Sequence, residues 1–317
     1  MRLWIPSFMA WMVLIGCAGS STSPPTPPAF ESVGLVMSGD AHDGGWNQSA
    51  YLGLEDLARS GFAVSLRENV SGPGQVAALE SFAKDGFTFI FAHGSEFTDA
   101  VRSVSARFPA SSFIQINGRE SGPNWRSYYF NEREIGYVMG VMAAAGSPSG
   151  NLGLILQQNE PDSILETALA GARSVNPAAT VTVRKTPDWD TPAFGKSAAE
   201  ELLALGVDGF IVLVDGAYVG VHEALLTRPD ARAYRLRSMP TLVEGQPEVM
   251  VGVVLQTGRL MAAGIEDFKR GGMATSETVG FRKQALGLTA FADEYPADAR
   301  TAVNAAVAAI MDGTLVP

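Results

Sequence analysis

Short apolar runs alternate along this chain with amphipathic segments, and turn-forming residues separate the two kinds. The first run, residues 33–37, is followed by a turn cluster at 38–45 and then by a stretch that sets Ala50, Leu54, Leu57 and Ala58 on one helical face. This predicts a strand, a loop and a helix. The alternation continues with strands predicted at 63–68, 86–92, 112–117 and 128–131, and helices at 74–84, 97–108 and 132–145. Strands and helices in that order give a parallel α/β sheet.

The pattern begins again at residue 151. Strands at 151–156, 180–184 and 209–214 alternate with helices at 164–175, 192–205 and 221–226, the first of which stops at Asn176-Pro177, as a residue before proline should. A strand at 247–254 is expected to return to the first lobe, followed by a helix at 260–269, two short strands around 277–288 and a final helix at 297–311. The expected fold class is therefore α/β, with two similar lobes, each a parallel sheet flanked by helices, joined by several crossovers in the layout of a type I periplasmic binding protein. The first lobe is expected at 32–146 plus about 248–272, and the second at 147–247 plus about 273–317. Two lobes closing by hinge motion are a recurrent way to bury a polar ligand.

With 317 residues the chain can build two substantial cores. Its net charge of −10 would repel polyanions, and no Lys/Arg cluster could follow a phosphate backbone, which argues against nucleic acid as a partner. Arg2 precedes an apolar stretch at 3–15, interrupted by Pro6 and Ser7, that is too short to span a bilayer securely and suits an export signal. It ends Leu14-Ile15-Gly16-Cys17, which resembles a bacterial lipobox. That resemblance implies removal of residues 1–16 and acylation of Cys17, placing the protein in the cell envelope on a lipid anchor; an ordinary signal peptide with a chance cysteine is the alternative. Cys17 is the only cysteine, so neither an intramolecular disulfide nor a thiolate metal cluster can form. The following residues, to about 31, are rich in Ser, Pro and Thr and read as a flexible tether.

In an open parallel sheet the loop leaving the first strand faces the ligand crevice, which places Asp40, His42, Asp43, Trp46 and Asn47 there. Gly39, Gly44 and Gly45 allow that loop to fold tightly. An indole face, a carboxylate and an amide suit a planar, hydrogen-bonding solute. The other reading of the same residues is that Trp46 staples the helix start to the core while the acids cap it.

The stretch from Asp43 to Gly53, D-G-G-W-N-Q-S-A-Y-L-G, resembles the N-terminal signature of the basic membrane protein family, with Trp46 replacing that family's Phe. The family includes purine-nucleoside-binding lipoproteins that deliver solute to ABC importers. The similarity extends through Gly94-Ser95-Glu96-Phe97-Thr98-Asp99-Ala100, the 132–145 helix, Asn176-Pro177, Val207-Asp208 and the loop with Gly216 and Gly220-Val221, so it runs from about 33 to about 254. It implies a lipid-anchored, monomeric solute-binding protein that works with an ABC permease and has no cofactor or metal. Its solute is small and polar, nucleoside-like or otherwise aromatic. The residues expected to touch it are Asp43, Trp46, Asn47, His93 and Glu96 from the first lobe and Asp215, Gly216 and Tyr218 from the second.

The chain also departs from the family pattern. Asp215-Gly216-Ala217-Tyr218 stands where the family usually has Gly-Gly-Thr-Gly, no acid is present at Arg237-Ser238-Met239, and Gln256 takes the place of a lysine near the hinge. Losing the acid removes a charge-assisted acceptor for a ribose diol, worth about 1.5–3 kcal/mol per hydrogen bond, which argues against an ordinary purine nucleoside. His42, His93 and His222 lie near strand ends or in the helix that follows and could join Asp43 or Glu96 in a zinc site, or else serve as hydrogen-bond donors at the rim or sit on the surface. No G-x-S-x-G elbow, H-E-x-x-H or P-loop lysine is present, so catalysis has little support. A sensory or interaction lipoprotein that keeps the fold is the alternative function, with a nucleoside-type hydrolase behind it.

Overall fold

Central strands of a parallel sheet are covered on both faces and so read as unbroken apolar runs. β1 (Ser32–Met37), buried at five of its six positions, is such a strand. It is followed by α1 (Trp46–Arg59), β2 (Ala63–Arg67), α2 (Gly74–Lys84), β3 (Phe89–His93), α3 (Thr98–Ser105), β4 (Ser112–Ile116) and β5 (Trp125–Phe130). A second series repeats the first: α4 (Glu132–Gly146), β6 (Asn151–Gln157), α5 (Asp162–Val175), β7 (Thr180–Thr186), α6 (Pro192–Ala204), β8 (Gly209–Leu213), α7 (Tyr218–Leu225), β9 (Arg232–Arg237) and β10 (Val249–Leu255). The chain closes with α8 (Thr257–Lys269), β11 (Ser276–Val279), β12 (Leu286–Leu288) and α9 (Ala297–Asp312).

This computed structural model describes residues 31–43, 45–237, 245–272 and 275–317. The export segment, Cys17 and most of the tether expected from the sequence lie outside the described residues, as do Ser238 and Met239. Among the described residues no helix is long and apolar enough to cross a membrane.

The strands form two six-stranded sheets, in the orders β2-β1-β3-β4-β5-β11 and β7-β6-β8-β9-β10-β12. All neighbours run parallel except β12, which is antiparallel to β10. Edge position shows in the sequence: β2 has no buried residue, whereas β3, β8 and β10 are buried throughout.

The helix after the fifth strand of each series crosses to the other sheet. α4 leaves β5 and packs on α5, β8, β9 and β10, while α8 leaves β10 and packs on α1 and β4. β11 then completes the first sheet beside β5, and β12 completes the second. The expectation that the 247–254 strand returns to the first lobe is therefore corrected: β10 pairs with β9 and β12, and α8 is the element that returns. By the same exchange α4, expected with the first lobe, packs on the second sheet, and β11, expected with the second, joins the first. β9 was not foreseen, because Arg232, Arg235 and Arg237 break up its apolar residues. α7 starts at Tyr218 rather than 221, and Ala58 lies outside the buried face of α1.

α4 and α5 approach closely because both carry glycine at the seam. A Cβ on Gly140 would come within 2.0 Å of the Ala168 carbonyl oxygen, and one on Gly171 equally near that of Tyr137. Asn131 caps α4 by accepting from the Glu134 N–H (3.3 Å), and Asn131 Nδ2 donates to Glu134 Oε1 (2.9 Å). One apolar cluster runs from Val33, Leu35 and Met37 of β1 through Met139 and Met142 of α4 to Val251 and Val253 of β10, so the core is continuous through the crossing helix.

Candidate functional site

In both sheets the carboxyl ends of the strands face one cavity of about 850 Å³. Its first-lobe wall is built from Ser38, Asp43, Trp46 and Asn47 after β1, Gly94, Ser95, Glu96 and Thr98 after β3, and Asn117, Arg119 and Glu120 after β4. Tyr129, Phe130 and Glu132 line it where β5 passes into α4. The opposite wall carries Gln157, Asn159 and Glu160 after β6, Trp189 and Asp190 after β7, and Asp215 after β8. A ligand crevice is expected there, because the strand order reverses between β1 and β3 and again between β6 and β8.

The loop after β1 is held by Asp43. Its carboxylate accepts from the backbone N–H of Gly45 (2.8 Å), Asn47 (3.0 Å) and Gln48 (3.0 Å) and from Asn47 Nδ2 (2.9 Å). This satisfies the open donors of the first turn of α1 and sets a negative charge at its N-terminus. Asn47 Oδ1 in turn accepts from the Gly39 N–H at 3.4 Å. Both residues reach the cavity wall, yet their polar atoms already serve the loop.

Trp46 is held from behind. Its ring stacks on His93 with centroids 3.9 Å apart and planes 20° from parallel, and Phe130 meets it edge-on at 6.2 Å. His93 Nε2–H donates to the Trp46 carbonyl at 3.0 Å. His93 is fully buried and does not line the cavity. Burial disfavours its charged form and lowers its pKa to about 4, only partly opposed by the Trp46 carbonyl and Asp43. A neutral imidazole thus backs one indole face, leaving the other side of the ring for the cavity.

Glu96 lies on the wall and accepts from Ser38 Oγ at 2.6 Å, joining the loops after β1 and β3. Asp215 is exposed to the cavity but walled in by both lobes, so that its charged form is poorly solvated. Burial, then Asp190 and Asp43, raise its pKa to about 6, with Arg235 opposing. A Cβ on Gly45 would lie 3.5 Å from Asp215 Oδ1, a measure of how closely the lobes approach here.

Gly216 and Tyr218 are not on the cavity wall. The Gly216 N–H donates to Asp190 Oδ1 at 3.1 Å, while Tyr218 is buried with the Arg235 guanidinium 3.4 Å above its ring. Tyr218 O–H donates to Glu248 Oε1 at 2.6 Å, the oxygen that also meets His222 Nδ1 at 2.8 Å. Tyr218 thus belongs to a polar group inside the second lobe. Gln256 is likewise off the wall. His42 packs edge-on against Tyr51, so the three histidines serve three different places, and among the described residues no group of three or more His, Cys, Asp or Glu side chains could hold a metal ion.

Several wall residues were not foreseen. Trp189 is placed by backbone hydrogen bonds from the Asp215 and Ala217 N–H groups to its carbonyl. Glu132 accepts from Tyr129 O–H and pairs with Arg119 Nη2 at 3.3 Å, and that guanidinium also lies 3.4 Å above the Tyr129 ring. Glu160 faces this group, and burial followed by the Glu132 charge raises its pKa to about 7. Glu132 opens the 132–145 helix that carries part of the family resemblance; Trp189 and Glu160, in loops of the second lobe, offered no signal beyond their position after strands.

The chain is similar to several proteins of known kind. A transcriptional activator, Med, of Bacillus subtilis is 26% identical over 223 residues, covering 69% of this chain and 68% of that protein. A purine-binding protein of Brucella abortus is 29% identical over 182 residues, covering 56% of this chain and 52% of that one. Among solved structures, a transcriptional activator of the comK gene from Bacillus halodurans superposes with a TM-score of 0.78 at 23% identity, covering 90% of this chain and 99% of that one. An ABC transporter solute-binding protein from Conexibacter woesei gives 0.77 at 21%, covering 91% and 98%. These two show the type I periplasmic binding protein fold. Residues 30–229 match the model of the Bmp family, described as PnrA-like ABC transporter substrate-binding protein, and the chain belongs to that family.

Proposed function

We propose that this protein captures a small polar solute between its lobes and delivers it to an ABC permease, held at the membrane by an acylated Cys17. The observation that carries the reading is the 850 Å³ cavity at the carboxyl ends of both sheets, with Trp46 supported on one face and turned to the cavity. The solute lies against the indole and meets Glu96 and Asp215. Asp43, Asn47 and His93 shape the loop and hold the ring, and Gly216 and Tyr218 support the opposite wall. Stacking contributes about 0.5–1.5 kcal/mol beyond burial. The similarity to a purine-binding protein makes a heteroaromatic ring a natural candidate for the indole face.

A thermal-shift screen of the purified protein against nucleosides, free bases, amines, amino acids and sugars tests this. A solute at a hundred times its Kd adds about 2.7 kcal/mol of stability, so the binding class stands out. No shift with any class would reject solute capture.

A second reading is favoured by the similarity to transcriptional activators. In it the protein keeps the fold and passes solute occupancy to a protein partner. Permease and ATPase genes beside this one would favour transport; their absence together with a neighbouring regulator would favour signalling.

A further inference from the structure

Two carboxylates on the cavity wall have no partner within the fold. The carboxylate oxygens of Asp215 and Glu160 accept no hydrogen bond from the described residues, and a like charge stands against each. Asp215 faces Asp190 on its own lobe and Asp43 on the other, with Arg235 the cation in reach. Glu160 faces Glu132 across the cleft, with Arg119 and Lys185 as its cations. Arg119 is already engaged by Glu132 and by the ring of Tyr129, and Lys185 by Asp162 at 3.4 Å. Arg119 is also the single cationic side chain among the described residues lining the cavity.

Like charges from opposite lobes oppose closure, and a neutral solute leaves that repulsion in place. A hydroxyl can donate a hydrogen bond to a carboxylate but cannot offset its charge, whereas a protonated amine does both. A cation bonded to Asp215 and lying in the field of Asp43, whose oxygens are already taken by the loop, would therefore bind better to the closed form than to the open one, the condition for a ligand to drive closure. The faces of Trp46 and Trp189 on the same walls suit a cation as well as a ring.

Resting on the proposed solute capture, we infer that the cavity is selective for an organic cation, a solute carrying at least one protonated amine that donates to the Asp215 carboxylate and lies in the field of Asp43 on the facing lobe. The amine at Asp215 takes the place, as the centre of recognition, of the diol-binding acid and the hinge lysine of the family pattern.

Calorimetric titration of the purified protein near pH 8 with tyramine, putrescine and spermidine, beside adenosine, inosine and ribose, tests the inference. At least one amine is expected to bind about tenfold or more tighter than every neutral solute. Its affinity should fall about tenfold or more towards pH 5, as Asp215 and Glu160 take up protons. Asp215→Asn, which removes repulsion and so leaves folding intact by circular dichroism, should weaken the amine by about tenfold, and Glu160→Gln, away from Asp215 beside Glu132 and Arg119, should weaken it less. A nucleoside or ribose binding more tightly than every amine, or an amine indifferent to Asp215→Asn, overturns the inference and leaves solute capture standing. Binding of none of the six overturns both.

Discussion

At the scale of single residues, the site depends on how one indole is held. Trp46→Ala should weaken solute binding by about tenfold or more while leaving the circular dichroism spectrum unchanged, and unchanged affinity by calorimetry would remove Trp46 from the site. His93 beneath it has its own pH signature. Its pKa is depressed to about 4 in the fold, so its contribution to stability is present above pH 6.5 and is lost as pH falls from there through 4. That contribution is on the order of 3 kcal/mol for a fully buried ring. In His93→Phe, denaturant titrations at several pH values should show a shallower loss of stability over that window. The place of Trp46 and Asp43 on the cavity wall was legible in the sequence, because the loop leaving the first strand of an open parallel sheet faces the ligand crevice. That Asp43 would cap α1 was one of the two readings the sequence offered, being local to the loop, whereas the burial of His93 behind the indole was not legible, since it depends on where β3 comes to lie beside the loop.

At the scale of elements, the crossing helix α4 bears the tightest packing. The Gly140 Cβ position is filled by the Ala168 carbonyl, so Gly140→Ala must push α5 away and should cost about 1–3 kcal/mol in chemical denaturation. Asn131→Ala removes the cap of the same helix and should cost about 1 kcal/mol. Strand and helix alternation was readable nearly throughout, because buried parallel strands leave apolar runs of five to seven residues, as in β3 and β10. β9 escaped because its arginines alternate with apolar residues, and Arg235 and Arg237 find cover beside Tyr218 that only the tertiary fold provides. The destination of β10 was equally hidden, for a buried strand carries the same apolar run in either sheet.

At the scale of the whole molecule, the acids of the cleft add a second pH dependence to that of His93 in the ligand-free protein. Asp215 and Glu160 have raised pKa values of about 6 and 7, so the stability they contribute is complete below their ordinary pKa values and is lost as pH rises through 6–7. Asp215→Asn should therefore raise the melting temperature of the ligand-free protein near pH 8 and leave it almost unchanged near pH 4. The exchange of elements between the sheets bears on the chain as it is made. β5 of the first sheet stays an open edge until β11 arrives, about 150 residues later, so the part built first is finished nearly last. A ribosome that has released only the first half exposes a sticky border in need of a holder, and final closure waits on pairings distant along the chain, which slows folding. Translation stopped before Ser276 would thus yield a fragment that sticks to its own copies rather than a free-standing lobe.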